Sequence, residues 1–168
     1  MMKKTACSIL FLLTAGLLLV MSAAAADQTD FSGSYTLTNV KGGSKPKKSD
    51  VWTLHVVQTG CTIEVTQVQH GHKNINKYAL DGTVGPYTSP GGVAGKCRAQ
   101  FRSKLLILES MMAGRTQPNA PTVQLHTKEE WDLSSDGKTL KIHFEVDSPG
   151  LPPGFQPFEP VTYIYTRD

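Results

Sequence analysis

The stretch from Thr127 to Val146 most constrains what this chain can fold into. Trp131 and Leu133 stand two apart, as do Leu140, Ile142, Phe144 and Val146, with polar residues between them. Alternation with a period of two is the pattern of a strand that buries one face. Between the two arms lies Ser134-Ser135-Asp136-Gly137. Ser and Asp bond back to a turn backbone, and Gly accepts the positive φ that closing a hairpin demands. The segment predicts an antiparallel hairpin.

Most of the remaining chain repeats this unit. Phe31 to Val40 alternates, with Phe31, Tyr35 and Leu37 on one face. Val51 to Gln58 and Cys61 to Gln67 form a second hairpin around Thr59-Gly60. Trp52, Leu54 and Val56 are the inward set of one arm, and Cys61, Ile63 and Val65 that of the other. Asn74 to Gly82, Gly95 to Arg102, Leu105 to Met112 and Val161 to Arg167 bring the candidate strands to about nine. Gly85 to Gly92 and Ser148 to Pro160 are broken by Gly and Pro and read as loops. No stretch has a helical period. Strands in such a series hide their edges by closing on themselves. The expected fold class is all-β, an up-and-down antiparallel β-barrel of about eight to nine strands. A two-sheet sandwich is the alternative, and it favours longer crossing connections.

Residues 1–26 are set apart from this pattern. Lys3 and Lys4 precede an apolar run from Ala6 to Met21, and Ser22 to Ala26 supply small residues for cleavage, at Ala24 or Ala26. That is the layout of a secretory signal peptide. An uncleaved membrane anchor is the other reading of the same run. Residues 27–168 are expected to form one domain, secreted or periplasmic, with no stable membrane insertion once the signal is removed. Cys7 leaves with the signal, so Cys61 and Cys97 are the two cysteines that remain. An oxidising compartment favours a disulfide between them, worth about 3 kcal/mol in the chain-entropy picture. Of the 17 basic residues, Lys3 and Lys4 go with the signal, which leaves 15 against 14 acidic ones. A net charge near +1 gives no field for nucleic acid. Lys41 to Lys48, with four lysines, reads as a solvated loop or as a basic rim on the barrel.

Two short motifs add a family resemblance. Phe31-Ser-Gly33-Ser-Tyr35 resembles the Phe-x-Gly-x-Trp opening of calycins, the group of lipocalins, intracellular fatty-acid-binding proteins and avidins. Tyr163-Ile-Tyr165-Thr-Arg167 is similar to their last strand. The resemblance implies a calycin-like barrel, of the kind found in bacterial secreted lipocalin-like proteins. It also implies that Tyr35, beside Gly33, plugs one barrel end and that Arg167 packs across it. Tyr35 stands in place of the usual Trp. The Arg-x-Tyr pair with which fatty-acid-binding proteins grip a carboxylate is missing, because Tyr163 occupies the position of its Arg.

The remaining chemistry is sparse. There is no nucleophile elbow, no His-Glu-x-x-His and no phosphate-cradling loop, so the residues favour a non-enzyme, with no cofactor and no metal. His70-Gly71-His72 reads as a polar turn, and His55 and His143 as outward residues. Glu129 shares the inward parity of Trp131 and Leu125. It is either left in water by a bulge or the rim, or it anchors a ligand. These readings make the chain a binding protein for a small hydrophobic or amphipathic molecule, held by Trp52, Phe101, Glu129, Trp131 and Tyr163. The alternative is an envelope interaction protein or inhibitor. Its filled barrel would present a protein partner with Ser148 to Pro160 or Gly85 to Gly92.

Overall fold

The computed structural model describes residues 28–43, 46–47, 49–115, 122–149 and 158–168. The segment 1–26 and most of the loop Ser148 to Pro160 lie outside them. The regular elements are β1 (Gly33–Lys41), β2 (Thr53–Thr59), β3 (Thr62–Gln69), β4 (His72–Ala79), β5 (Gly85–Thr88), β6 (Ala94–Arg102), β7 (Leu105–Arg115), β8 (Thr122–Leu133), β9 (Thr139–Asp147) and β10 (Val161–Arg167). They form one antiparallel sheet in the order β4-β3-β2-β1-β10-β9-β8-β7-β6-β5. Each strand follows its neighbour in sequence except where β1 meets β10, which joins the first and last strands and curls the sheet into a nearly closed barrel.

Among the described residues the count is ten strands, more than the eight to nine expected from the sequence. The added strand is β5, inside the stretch expected to be irregular. Pro86 is admissible there because β5 pairs through its backbone ladder only with β6. The other side of β5 requires no donor from residue 86. On that side the ladder to β4 is replaced by side chains. Asn76 Nδ2 and Asn74 Nδ2 donate to the Thr88 carbonyl at 3.0 and 2.6 Å, and Thr88 N–H donates to Asn76 Oδ1 at 3.0 Å.

Tight turns set the register. His70 and Gly71 both take positive φ, 50° and 75°, in a two-residue turn between the paired Gln69 and His72. This is the mirror-image turn whose twist matches the strands it joins. The hairpin of β8 and β9 pairs Leu133 with Leu140 and Trp131 with Ile142. Its loop is stitched by Asp136 Oδ1, which accepts from Ser134 Oγ at 2.6 Å and Lys138 N–H at 3.0 Å.

One end of the barrel is closed by side chains. Phe31 and Tyr35 are fully buried, and the Phe31 ring lies 6.1 Å from both Trp131 and Phe101. Tyr35 Oη donates to the Phe31 carbonyl at 2.8 Å. Arg167 spans the plug, with Nη2 donating to Tyr35 Oη at 2.7 Å and the Ser32 carbonyl at 2.9 Å, and Cζ 5.2 Å from the Tyr35 ring centre. Gly33 makes room for this arrangement. Its φ is +152°, and a Cβ there would stand 3.0 Å from Arg167 Nε.

The expected disulfide is not formed: Cys61 and Cys97 are both free thiols. Cys61 lies in the β2–β3 turn and is exposed, while Cys97 is buried on the inner face of β6. The tail of β4 separates them, since Leu80 N–H bonds the Cys61 carbonyl and Asp81 pairs with Gln100 of β6. The Cys97 thiol instead donates to the Pro86 carbonyl at 3.4 Å.

Two outcomes follow. Protein denatured without reductant should titrate with two free thiols in residues 27–168, and a loss of both would return the disulfide. Arg167→Met should lower unfolding free energy by about 2–4 kcal/mol, because two charge-assisted bonds go and buried acceptors are left behind. A shift of the denaturant midpoint within error of zero would show that Arg167 does not hold the plug.

Candidate functional site

Above the plug the barrel is not filled. A cavity of about 380 Å³ runs from Trp131, Leu54 and Tyr165 toward the end where the β3–β4 and β5–β6 turns lie. Strand parity explains its wall. Along β8 the residues Val123, Leu125, Thr127, Glu129 and Trp131 share one face, opposite Met112, Ser110, Leu108 and Leu106 of β7. The faces are large and apolar near the plug. Toward the mouth they give way to smaller and more polar side chains, including Thr127, Gln67, Gln69 and Asn76. Space opens because those residues do not fill the barrel's width.

Glu129 is the one acidic group in this wall, and no Lys or Arg lines the cavity among the described residues. Trp131 Nε1 donates to Glu129 Oε2 at 2.8 Å. The side chain keeps some accessible surface, yet it stands deep inside the protein, because the surface it retains faces the cavity. Burial pushes the carboxyl above its ordinary range, and the indole hydrogen bond only partly opposes this. The phenols of Tyr78, Tyr87, Tyr163 and Tyr165 are each pushed up, by burial first and then by the charge of Glu129. Four tyrosines from three strands share the cavity with this one carboxyl. Ser110 Oγ and Thr127 Oγ1 share a hydrogen bond of 2.6 Å. Burial raises the Cys97 thiol to about 11, so it too is neutral at ordinary pH.

The structure distributes the expected ligand set unevenly. Glu129, Trp131 and Tyr163 line the cavity. Trp52 stands beside it just before β2, its ring 5.8 Å from Tyr163 and 5.2 Å from His70, its Nε1 donating to Asp50 Oδ2 at 3.1 Å. Phe101 is on the inner face but at the plugged end, against Phe31, and does not reach the cavity. Glu129 is not left at the rim by a bulge, since its strand pairs regularly with both neighbours. Sequence reasoning passed over Tyr78, Tyr87 and Phe144 as ligand contacts. The parity of β4 and β9 exposes Tyr78 and Phe144, whereas Tyr87 carries no such signal inside a Gly/Pro-rich stretch. Of the loop Ser148 to Pro160, residues 150–157 lie outside the described set. Phe158 after them is 54% exposed and lines the cavity.

His70 pairs with Asp50, and His143 bonds Thr162 Oγ1 and Glu145. No group of three or more His, Cys, Asp or Glu side chains is placed to hold a metal among the described residues.

No family model matches the sequence, and no curated protein does. Solved structures do resemble it. Fatty-acid-binding protein 1 of Echinococcus granulosus superposes with a TM-score of 0.58 at 12% identity, over 82% of this chain and 96% of that one. Zebrafish ileal bile-acid-binding protein in complex with cholic acid gives 0.57 at 14%, over 82% and 98%. The REP1-NXSQ fatty acid transporter gives 0.55 at 12%, over 83% and 96%. The chain thus has the calycin-like fold, all-β and antiparallel, as a nearly closed barrel of ten strands. At these identities the likeness is one of fold.

The carboxyl has a measurable consequence. Its raised value in the folded state means that the fold holds more protons than the unfolded chain between the ordinary Glu range and the raised one. Stability conferred by the protonated group is complete below the ordinary value, near 4.5, and is lost as pH climbs through the raised one. Glu129→Gln keeps the acceptor for Trp131 and removes this loss. The variant should be more stable than the parent at pH 8, with the difference shrinking below pH 4.5. An equal difference at both pH values in urea melts would show that Glu129 does not titrate abnormally.

Proposed function

We propose that this protein is an exported binding protein that holds one small apolar or amphipathic molecule in its barrel. The observation that carries the reading is the cavity of about 380 Å³, floored by Trp131, Leu54 and Tyr165. Its volume lies toward the lower end of small-molecule sites, and its wall has their usual form, mostly apolar with a few convergent polar groups. The structural neighbours support the reading, because their names describe binders or transporters of fatty acids and a bile acid. Residues 1–26 support export, since a basic start, an apolar run and an alanine-rich end fit a cleaved signal. The finer kinship, to bacterial secreted lipocalin-like proteins, rests on the Phe31 to Tyr35 and Tyr163 to Arg167 motifs.

Native mass spectrometry of protein purified from its own host tests both parts. The expected spectrum shows a chain beginning at Ala25 or Asp27 and carrying one small molecule that organic extraction removes. A chain that retains residues 1–26 would refute processing. Protein recovered empty from repeated preparations, and unable to take up apolar probes, would refute the binding function.

A further inference from the structure

A ligand held in this cavity must satisfy Glu129. Its carboxyl lines the cavity with Trp131 Nε1 as its hydrogen-bond donor, and no cationic side chain lines the same space among the described residues. A buried carboxylate without a cation is costly, and the cost is removed either by protonation or by an opposite charge. Among the described residues the cavity contains no opposite charge of its own. The titratable groups that share the cavity with Glu129 are Tyr78 on β4, Tyr87 on β5 and Tyr163 and Tyr165 on β10, and all are held neutral by burial. The adjoining strands place Leu108 and Phe144 beside it, which are apolar.

We propose that the ligand is an amphipathic amine, its ammonium group seated on Glu129 among the four tyrosines and its apolar body lying along Leu54, Val65, Ile142 and Phe144. This deepens the binding function above and rests on it. An ammonium offers three donors and no acceptor. The wall answers with the carboxylate, the hydroxyl oxygens of the tyrosines and Thr127, and the amide oxygen of Gln67. Aromatic rings add attraction for a desolvated cation. A carboxylate ligand meets the opposite situation, a second negative charge brought beside Glu129 in a space of low dielectric. A neutral alcohol loses the ion pair and meets no repulsion. The site therefore ranks three ligands of one shape as amine, then alcohol, then carboxylate.

The test uses decylamine, decanol and decanoate with protein expressed from the full chain and stripped of bound lipid, followed by calorimetry at pH 8. Decylamine should bind about tenfold or more tighter than decanol, in line with the strength of charge-assisted hydrogen bonds, and decanoate should be weakest. Glu129→Gln should bring decylamine down to the level of decanol while decanol still binds, which separates loss of the ion pair from loss of the fold. Decylamine binding should weaken as pH falls and Glu129 takes up its proton, while decanol binding stays level. Decanoate binding as tight as decylamine, or a Glu129→Gln variant that keeps the amine preference, overturns the amine assignment and leaves the binding function standing. Failure of all three to bind overturns both.

Discussion

The pairing of β1 with β10 is the constraint on which the rest of the molecule depends. Every other ladder joins strands adjacent in sequence and costs only a short loop closure. This one joins residues more than a hundred positions apart, Tyr35 to Arg167 and Val40 to Tyr163. It makes a ribbon of hairpins into a container. The Tyr35–Arg167 contact sits at the start of that ladder, so the group that plugs the barrel also fixes where the first and last strands meet. The register slips by one between Leu37 and Asn39. Parity is thereby restored for Val40, which turns inward beside Tyr163.

Plug and cavity are two uses of the same inner face. Near the plug, Phe31, Tyr35, Trp131 and Leu140 fill the width of the barrel with almost no accessible surface. A few residues higher, Thr127, Gln67 and Asn76 occupy equivalent inward positions and leave space. Trp131 serves both halves. Its ring packs edge-on against Phe31 below, and its indole N–H points to Glu129 above. The floor of the cavity is therefore rigid, because it is also the top of the core.

Much of this was legible in the sequence because a period of two is a local signal. The strand faces of β1, β2, β8, β9 and β10 follow directly from alternation, and so does the inward direction of Glu129. Height along the barrel is a different quantity. Phe101 and Tyr163 have the same inward parity, but one lies at the plug and the other in the cavity, and only the register between strands separates them. The apolar run of β7 offers no alternation to read, because Leu106, Leu108 and also Ile107 are buried and both faces are covered. Strand β5 escaped because its partner ladder is one-sided and its residues are Gly, Pro, Tyr and Thr. The cysteines misled because an oxidising compartment permits a bond that strand order forbids.

The seam between β4 and β5 gives the barrel a grain. Because the sheet is curled and not sealed, it keeps two strand edges, and such edges invite pairing with other chains. Each is blunted in its own way. The outer face of β4 carries exposed Lys73 and Lys77, and β5 is four residues long with a proline in it. Between them, hydrogen bonds of Asn74 and Asn76 stand where a backbone ladder would be, and side-chain bonds can be exchanged for water one at a time. The wall is thus cooperative everywhere except along this line. Backbone amides should exchange with solvent most readily there, and a molecule too wide for the mouth has its cheapest passage there, by parting two strands and unfolding none.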